Sequence, residues 1–280
     1  MTDPSLTVSL AQSVVLGVVE GLTEFLPVSS TGHLTIAENL MNIDTQARSV
    51  TGFTAVIQMG AIVASIVYFR ADIVRIVAGW GRGLVNAEAR TQYDSRLGWY
   101  VIAGTIPIGI VGLAGKNVIK DDLRYLWVVA VGLIVWSGAM IFAEKKARQD
   151  RGEQDVTFKD ILVMGLFQCI ALVPGVSRSG ATISAGLLRG LDRVTATRLS
   201  FFLGIPALLA AGIFELKDAF KAPAGPVVVG TIVSFVVAYV AIAWLLKFVA
   251  SHSIAKFVPY RLVVGALILI GLATNVLGGS

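Results

Sequence analysis

A chain of 280 residues with mean hydropathy +0.78, 55% apolar residues and 15% charged residues is too oily for a soluble domain, which carries about 25% charge. It reads as an all-α polytopic membrane protein, long enough for two similar halves. The net charge of +5 is modest and lies in loops, which argues against a nucleic-acid partner and for a role in membrane orientation. Cys169 is the only cysteine, which excludes an intrachain disulfide and a thiolate metal cluster and suits a small packing residue.

The N-terminal residues hold Asp3 and no Lys or Arg before the first apolar run, unlike the basic start of a cleaved signal peptide. Residues 9–25 are apolar apart from Glu20 and Glu24, and a second short segment covers 30–41. At about 1.5 Å per residue the second is about 18 Å long, too short for a hydrocarbon core of about 30 Å. Pro27 and Gly32 break the helix between them, and Ser29, Ser30 and Thr31 suit the cap of the next. A re-entrant pair over 9–41 is predicted, its backbone buried in protein or lining a wet cavity.

Spans are predicted near 53–69, 98–115 and 125–143. A polar loop with Arg70, Arg75, Arg82, Arg90 and Arg96 separates the first two. Tyr68, Trp99, Tyr100, Tyr125 and Trp127 stand at span ends, where an aromatic belt belongs. The charged stretch 144–160 reads as a linker, so 1–148 form a first repeat and 149–280 a second. The second opens on another re-entrant pair over 161–191, broken between 173 and 180, and continues with spans near 199–214, 226–249 and 261–278.

At an offset of 148, Gly17 meets Gly165, Glu20 meets Gln168, Ser29 meets Ser177, Ser30 meets Arg178, Thr31 meets Ser179 and Gly32 meets Gly180. Outside the hairpins the match thins, and Gln58 falls opposite Pro206. Three crossings per half is odd, so the second half is expected to be inverted, a plan in which broken helices meet near the midplane. Loops 70–98, 144–160, 189–198 and 247–261 hold 16 Lys and Arg, against 6 in 39–50, 116–124 and 215–222. The positive-inside rule puts the richer set in the cytoplasm. The first hairpin then enters from outside and the second from the cytoplasm.

Ionisable groups at membrane depth are expensive and mark function by default. Glu20 and Glu24 lie one turn apart on one helix face and could hold a divalent cation. Two helix N-termini, near Ser29–Thr31 and Ser177–Ser179, suit phosphate. Arg178 offers a planar fork to phosphate oxygens. The hydroxyls could donate to phosphate or attack phosphorus, and His33 could act as general acid or base. Gln58 and Gln168 are weaker candidates, polar groups within apolar segments. Each group has a plainer reading: carboxylates wetted at a hairpin mouth, serines that only cap, an arginine that only balances a glutamate, a hydrogen-bonded structural histidine. His252, in a basic loop, reads as solvated. The clustering in two matching loops favours phosphoryl chemistry on a substrate with a lipid tail. A carrier that flips a lipid phosphate is the competing class, because broken helices in inverted repeats are a transporter plan. An ion channel is disfavoured, because groups so unlike in kind suit one anionic ligand.

The motifs Glu-Gly-Leu-Thr-Glu-Phe-Leu-Pro-Val-Ser-Ser-Thr-Gly-His at 20–33 and Pro-Gly-Val-Ser-Arg-Ser-Gly-Ala-Thr at 174–182 resemble those of the undecaprenyl-diphosphatase family, the bacitracin-resistance (BacA/UppP) proteins. The resemblance extends over the whole chain. It implies hydrolysis of undecaprenyl diphosphate to undecaprenyl phosphate and phosphate, recycling the carrier lipid for cell-wall synthesis and conferring bacitracin resistance. It implies a bacterial plasma-membrane protein whose site opens to the outer face, dependence on Mg²⁺ or Ca²⁺, and a polyprenyl diphosphate lipid as partner, whether the substrate or, for the carrier alternative, its polyprenyl phosphate product; the sequence leaves the oligomeric state open, a homodimer included. Carried onto this chain, it makes Glu20 and Glu24 the acidic, metal-holding pair and Ser30 the favoured nucleophile. His33 becomes acid–base group or competing nucleophile, and Arg178 the phosphate clamp. Ser29, Thr31, Ser177 and Ser179 become phosphate supports.

Overall fold

A computed structural model describes residues 8–44, 47–116, 118–119, 123, 125–219, 224–274 and 277, the side chains of 48 and 214–219 aside. These residues form twelve α-helices: α1 (Leu10–Thr23), α2 (Ser30–Leu40), α3 (Arg48–Tyr68), α4 (Arg70–Val85), α5 (Ala87–Arg90), α6 (Tyr93–Ala114), α7 (Leu126–Lys146), α8 (Phe158–Ile170), α9 (Arg178–Leu188), α10 (Arg193–Ala219), α11 (Ala224–Val249) and α12 (Val258–Ala273). Among the described residues there is no strand, only an isolated bridge between Arg151 and Leu191.

Among the described residues six stretches are helical, long and apolar enough to cross a membrane: Ser49–Tyr68, Tyr93–Ala114, Leu126–Lys146, Arg193–Ile213, Ala224–Val249 and Ile254–Ala273. The chain is a multi-pass membrane protein. The pairs α1–α2 and α8–α9 have 14, 11, 13 and 11 residues, lengths of about 16–21 Å that fall short of the hydrocarbon core. Capping boxes fix where two of them begin, Ser9 with Gln12 for α1 and Thr157 with Asp160 for α8.

Two expectations are corrected. The stretch 70–98, expected to be a polar loop, is helical over most of its length. Its arginines are spaced so that α4 buries Ile76, Gly79 and Gly83 while Arg75 pairs with Asp72, Asp94 and Glu153. The spans α3, α6 and α10 start about a turn before their apolar runs. In α10, Asp192 accepts from the Thr195 amide at 2.8 Å and so caps a polar first turn.

Ion pairs tie the basic loops together. Arg198 pairs with Asp72 and Glu153, Arg193 with Glu144, and both Arg151 and Arg189 with Asp160. Glu144 also accepts from the Ile254 amide at 2.8 Å.

Each short-helix pair leans on a span from the other half. A Cβ on Gly17 would sit 2.6 Å from the carbonyl oxygen of Gly230, and one on Gly21 2.6 Å from that of Ser234. Only glycine lets α1 approach α11 this closely. Gly165 of α8 meets the backbone of Gly104 of α6 in the same way. These contacts bring the turn after α1 and the turn after α8 together in the middle of the bundle, beside a ring cluster of Phe25, Phe69, Phe201 and Phe202.

Candidate active site

The two turns are built alike. Ser29 precedes α2 with φ 76° and Ser177 precedes α9 with φ 75°. A left-handed non-glycine residue costs of order 1–3 kcal/mol and persists only where its surroundings hold it. Ser177 is held as a cap, its Oγ accepting from the Gly180 amide at 3.2 Å. Ser29 does not cap its own helix. Its Oγ accepts from the Gly175 amide of the other turn at 3.1 Å. Ser179 returns the link, donating to the Leu26 carbonyl at 3.0 Å. Gly175, at φ +91°, lies against the Val129 carbonyl of α7, where a side chain would not fit.

A residue that the sequence had assigned to a loop holds both turns. Arg261 was counted among the basic residues of 247–261, yet it is fully buried. Its guanidinium donates to Pro27 O at 2.8 Å, Gly175 O at 2.9 Å and Val176 O at 3.2 Å. It also reaches Leu133 O at 3.3 Å and Ser137 Oγ at 3.1 Å on α7. Its place at the start of the last apolar run was the available signal, since an intramembrane arginine demands acceptors.

Above the joined turns lies a cavity of about 500 Å³. Its polar end is formed by Glu24, Ser29, Ser30, Thr31, Gln58, Ser177 and Arg178, and its remaining wall is mostly apolar. Ser30 donates to Glu24 Oε2 at 2.6 Å, a short, charge-assisted bond. Gln58 Nε2 approaches the same oxygen at 3.4 Å, and Arg178 Nη2 lies 3.4 Å from Glu24 Oε1. Arg178 Nη1 is anchored on the Ser200 carbonyl at 3.1 Å, and its Nε has no partner. Gly204 makes the room for this guanidinium, since a Cβ there would overlap Nη1. Nothing in the sequence pattern singled out Gly204 or Ser200.

The structure thus assembles seven of the expected residues and leaves four outside the cavity lining. Glu20 is fully buried in α1 and neither carboxylate oxygen has a hydrogen-bond partner. Gln168, its counterpart on α8, is equally buried and unpartnered. Ser179 is used between the turns. His33 points elsewhere: Nδ1 is 2.7 Å from the Ser29 carbonyl and Nε2 is 2.7 Å from the Tyr260 hydroxyl, with the two rings stacked. Of the residues set aside, His252 is exposed and stacked on Phe248, and Cys169 is a free, partly buried thiol.

Among the described residues no group of three or more His, Cys, Asp or Glu is placed to hold a metal ion. Glu24 and the unpartnered oxygens of Glu20, one turn away, are hard donors. One or two carboxylates plus substrate phosphates is the donor set on which Mg²⁺ is commonly held; Glu24 lines the cavity and fits an ion that arrives with a phosphate ligand, whereas Glu20 lies outside the lining.

Comparison with known proteins agrees with this chemistry. The sequence model of the family described as "Bacitracin resistance protein BacA" matches residues 13–267. The chain is 60% identical over 266 residues to the undecaprenyl-diphosphatase of Acidothermus cellulolyticus, covering 94% of this chain and 96% of that one. It is 59% identical over 273 residues to undecaprenyl-diphosphatase 1 of Streptomyces avermitilis, covering 96% and 99%. The undecaprenyl-diphosphatase of Cutibacterium acnes is 53% identical over 272 residues, covering 93% and 95%.

Proposed function

Because the chain belongs to the bacitracin resistance protein BacA family, we propose that it hydrolyses undecaprenyl diphosphate to undecaprenyl phosphate and inorganic phosphate in the bacterial plasma membrane. The observation that carries this reading is the 2.6 Å bond from Ser30 to Glu24 beside Arg178, at the polar end of a mostly apolar cavity. A carrier needs charge to bind a phosphate, but no hydroxyl held by a carboxylate.

In the proposed reaction Ser30 Oγ attacks the distal phosphorus and its proton passes to Glu24. The bond from that phosphorus to the bridging oxygen breaks, and the lipid monophosphate leaves. Water then attacks the phosphorus of the phosphoserine and the phosphorus–Oγ bond breaks; Ser30 takes back the proton held by Glu24, and inorganic phosphate leaves with the water's oxygen and both of its protons. Arg178 holds the phosphoryl oxygens through N–H groups in a fixed plane. Thr31, Ser177 and Gln58 donate to the remaining oxygens. A divalent cation, Mg²⁺ or Ca²⁺, would be held by Glu24 and the substrate's phosphates and would neutralise phosphate charge.

We propose further that the two halves are inverted relative to one another and that the cavity opens outward. With Arg261 removed from the count, the four basic stretches, joined by ion pairs and by the Glu144–Ile254 hydrogen bond, hold 15 Lys and Arg against 6 on the other side, which still supports a cytoplasmic position for the former.

The test is phosphate release from undecaprenyl diphosphate by purified protein in detergent, where no transport is possible. Stoichiometric phosphate and lipid monophosphate are expected. Tight lipid binding without phosphate release would favour the carrier instead.

A further inference from the structure

Diphosphate chemistry at Glu24 leaves open where the long hydrocarbon chain goes. Helices α6 and α10 touch at Gly104, where a Cβ would lie 2.7 Å from Leu203 Cδ2. Beyond that contact both carry an internal proline, Pro107 and Pro206, which removes a backbone hydrogen bond and bends a helix. In this part of the bundle both helices line the cavity, through Thr105, Gly109 and Gly112 on α6 and Ala207 and Ala210 on α10.

The glycines of this wall differ from the packing glycines of α1 and α8. Among the described residues Gly109 has no heavy atom within 4 Å of where its Cβ would be, and Gly112 has only Leu172 Cδ2, at 4.0 Å. Their missing side chains make space and not a helix contact. A second depression of about 250 Å³, almost wholly apolar, adjoins the cavity through Thr105 and is lined by Ile102, Ile106 and Pro206. Ile102 and Ile106 are exposed on the apolar outer surface of α6.

We infer that the substrate's polyprenyl chain leaves the catalytic cavity sideways between α6 and α10, and that Gly109, Gly112 and Ala207 set the width of hydrocarbon admitted. This inference rests on the proposed diphosphatase reading. A polyprenyl chain carries a methyl branch at regular intervals, so it is wider than a straight acyl chain and needs a slot walled by residues with little or no side chain. The phosphates remain at Ser30 and Arg178 while the distal isoprene units stay in the bilayer, so the lipid need not be lifted out of the membrane.

The experiment places leucine on each wall, as Gly109→Leu, Gly112→Leu and, independently, Ala207→Leu. Leucine is a better helix former than glycine, and Gly109 meets no neighbour. Phosphate release is measured on isopentenyl, farnesyl and undecaprenyl diphosphate, and retention of undecaprenyl diphosphate by native mass spectrometry. The ratio of kcat/KM for undecaprenyl over isopentenyl diphosphate should fall at least tenfold, with weaker retention of the long lipid. An unchanged ratio with unchanged retention, or equal loss on every chain length, overturns the slot. If the wild type releases no phosphate from any substrate, the diphosphatase reading fails, and lipid retention alone decides the slot: leucine variants that retain as much as wild type overturn it.

Discussion

The chemistry depends on where a few atoms stand. Glu24 takes a short bond from Ser30 on one oxygen and faces Arg178 with the other. Ser30→Ala and Glu24→Gln are each expected to lower kcat by about 10²–10⁴, measured as phosphate release, with little change in thermal midpoint. Arg178→Lys should lose most activity while folding, because lysine keeps charge but not the planar fork. Gly204→Ala is the sharper test of that clamp. The added methyl overlaps only the guanidinium end, which can swing away, so activity should fall while the thermal midpoint holds. Near-normal turnover in Gly204→Ala would show that the seat of Arg178 does not matter. His33 is engaged by Ser29 and Tyr260 outside the cavity. His33→Gln should therefore retain activity to within about tenfold, whereas loss of a direct proton-transfer group costs about 10²–10⁴.

At the scale of the element, short helices end in mid-bundle, and their turns survive because other elements satisfy them. Arg261 on α12 gives its donors to carbonyls of both turns and of α7. Arg261→Gln leaves several buried carbonyls unpartnered and should destabilise the fold by about 3–5 kcal/mol, read as a lower thermal midpoint in detergent. Arg261→Lys should recover part of that loss. The hairpins also need glycine at their contacts with α11 and α6. Gly21→Leu drives a side chain into the Ser234 backbone, and overpacking costs at least 1–3 kcal/mol. Its thermal midpoint should fall well below that of Gly109→Leu, although both are glycine-to-leucine changes in a helix.

For the whole molecule, the ion pairs joining 70–98, 144–160 and 189–198 predict a common side. In a Cys169→Ser background, Asp44→Cys should be labelled on intact cells by an impermeant thiol reagent and Gln154→Cys should not. Both positions are exposed, so burial does not confuse the readout. Labelling of Gln154→Cys without Asp44→Cys would reverse the proposed orientation.

Hydropathy, span length and the paired motifs by themselves determined the all-α membrane class, six crossings, two short broken pairs and the residues around Ser30 and Arg178. Each is written locally, as a run of apolar residues, a proline and glycine break, or a cap. The four basic stretches, too, stand out by composition alone, although the first of them is mostly helical and not a loop. Only the tertiary structure decided which of the conspicuous groups share a cavity. Glu20 and Glu24 lie one turn apart, but α1 packs against α11 and seals Glu20 in while Glu24 reaches open space. His33 follows Ser30 by three residues and still turns to Tyr260, 227 residues away. Gly204 carries no local signature and Arg261 only its place at the start of an apolar run, because what they do is fixed by partners distant in the chain. Periodicity records which face of a helix is apolar; it does not record which neighbour that face will meet.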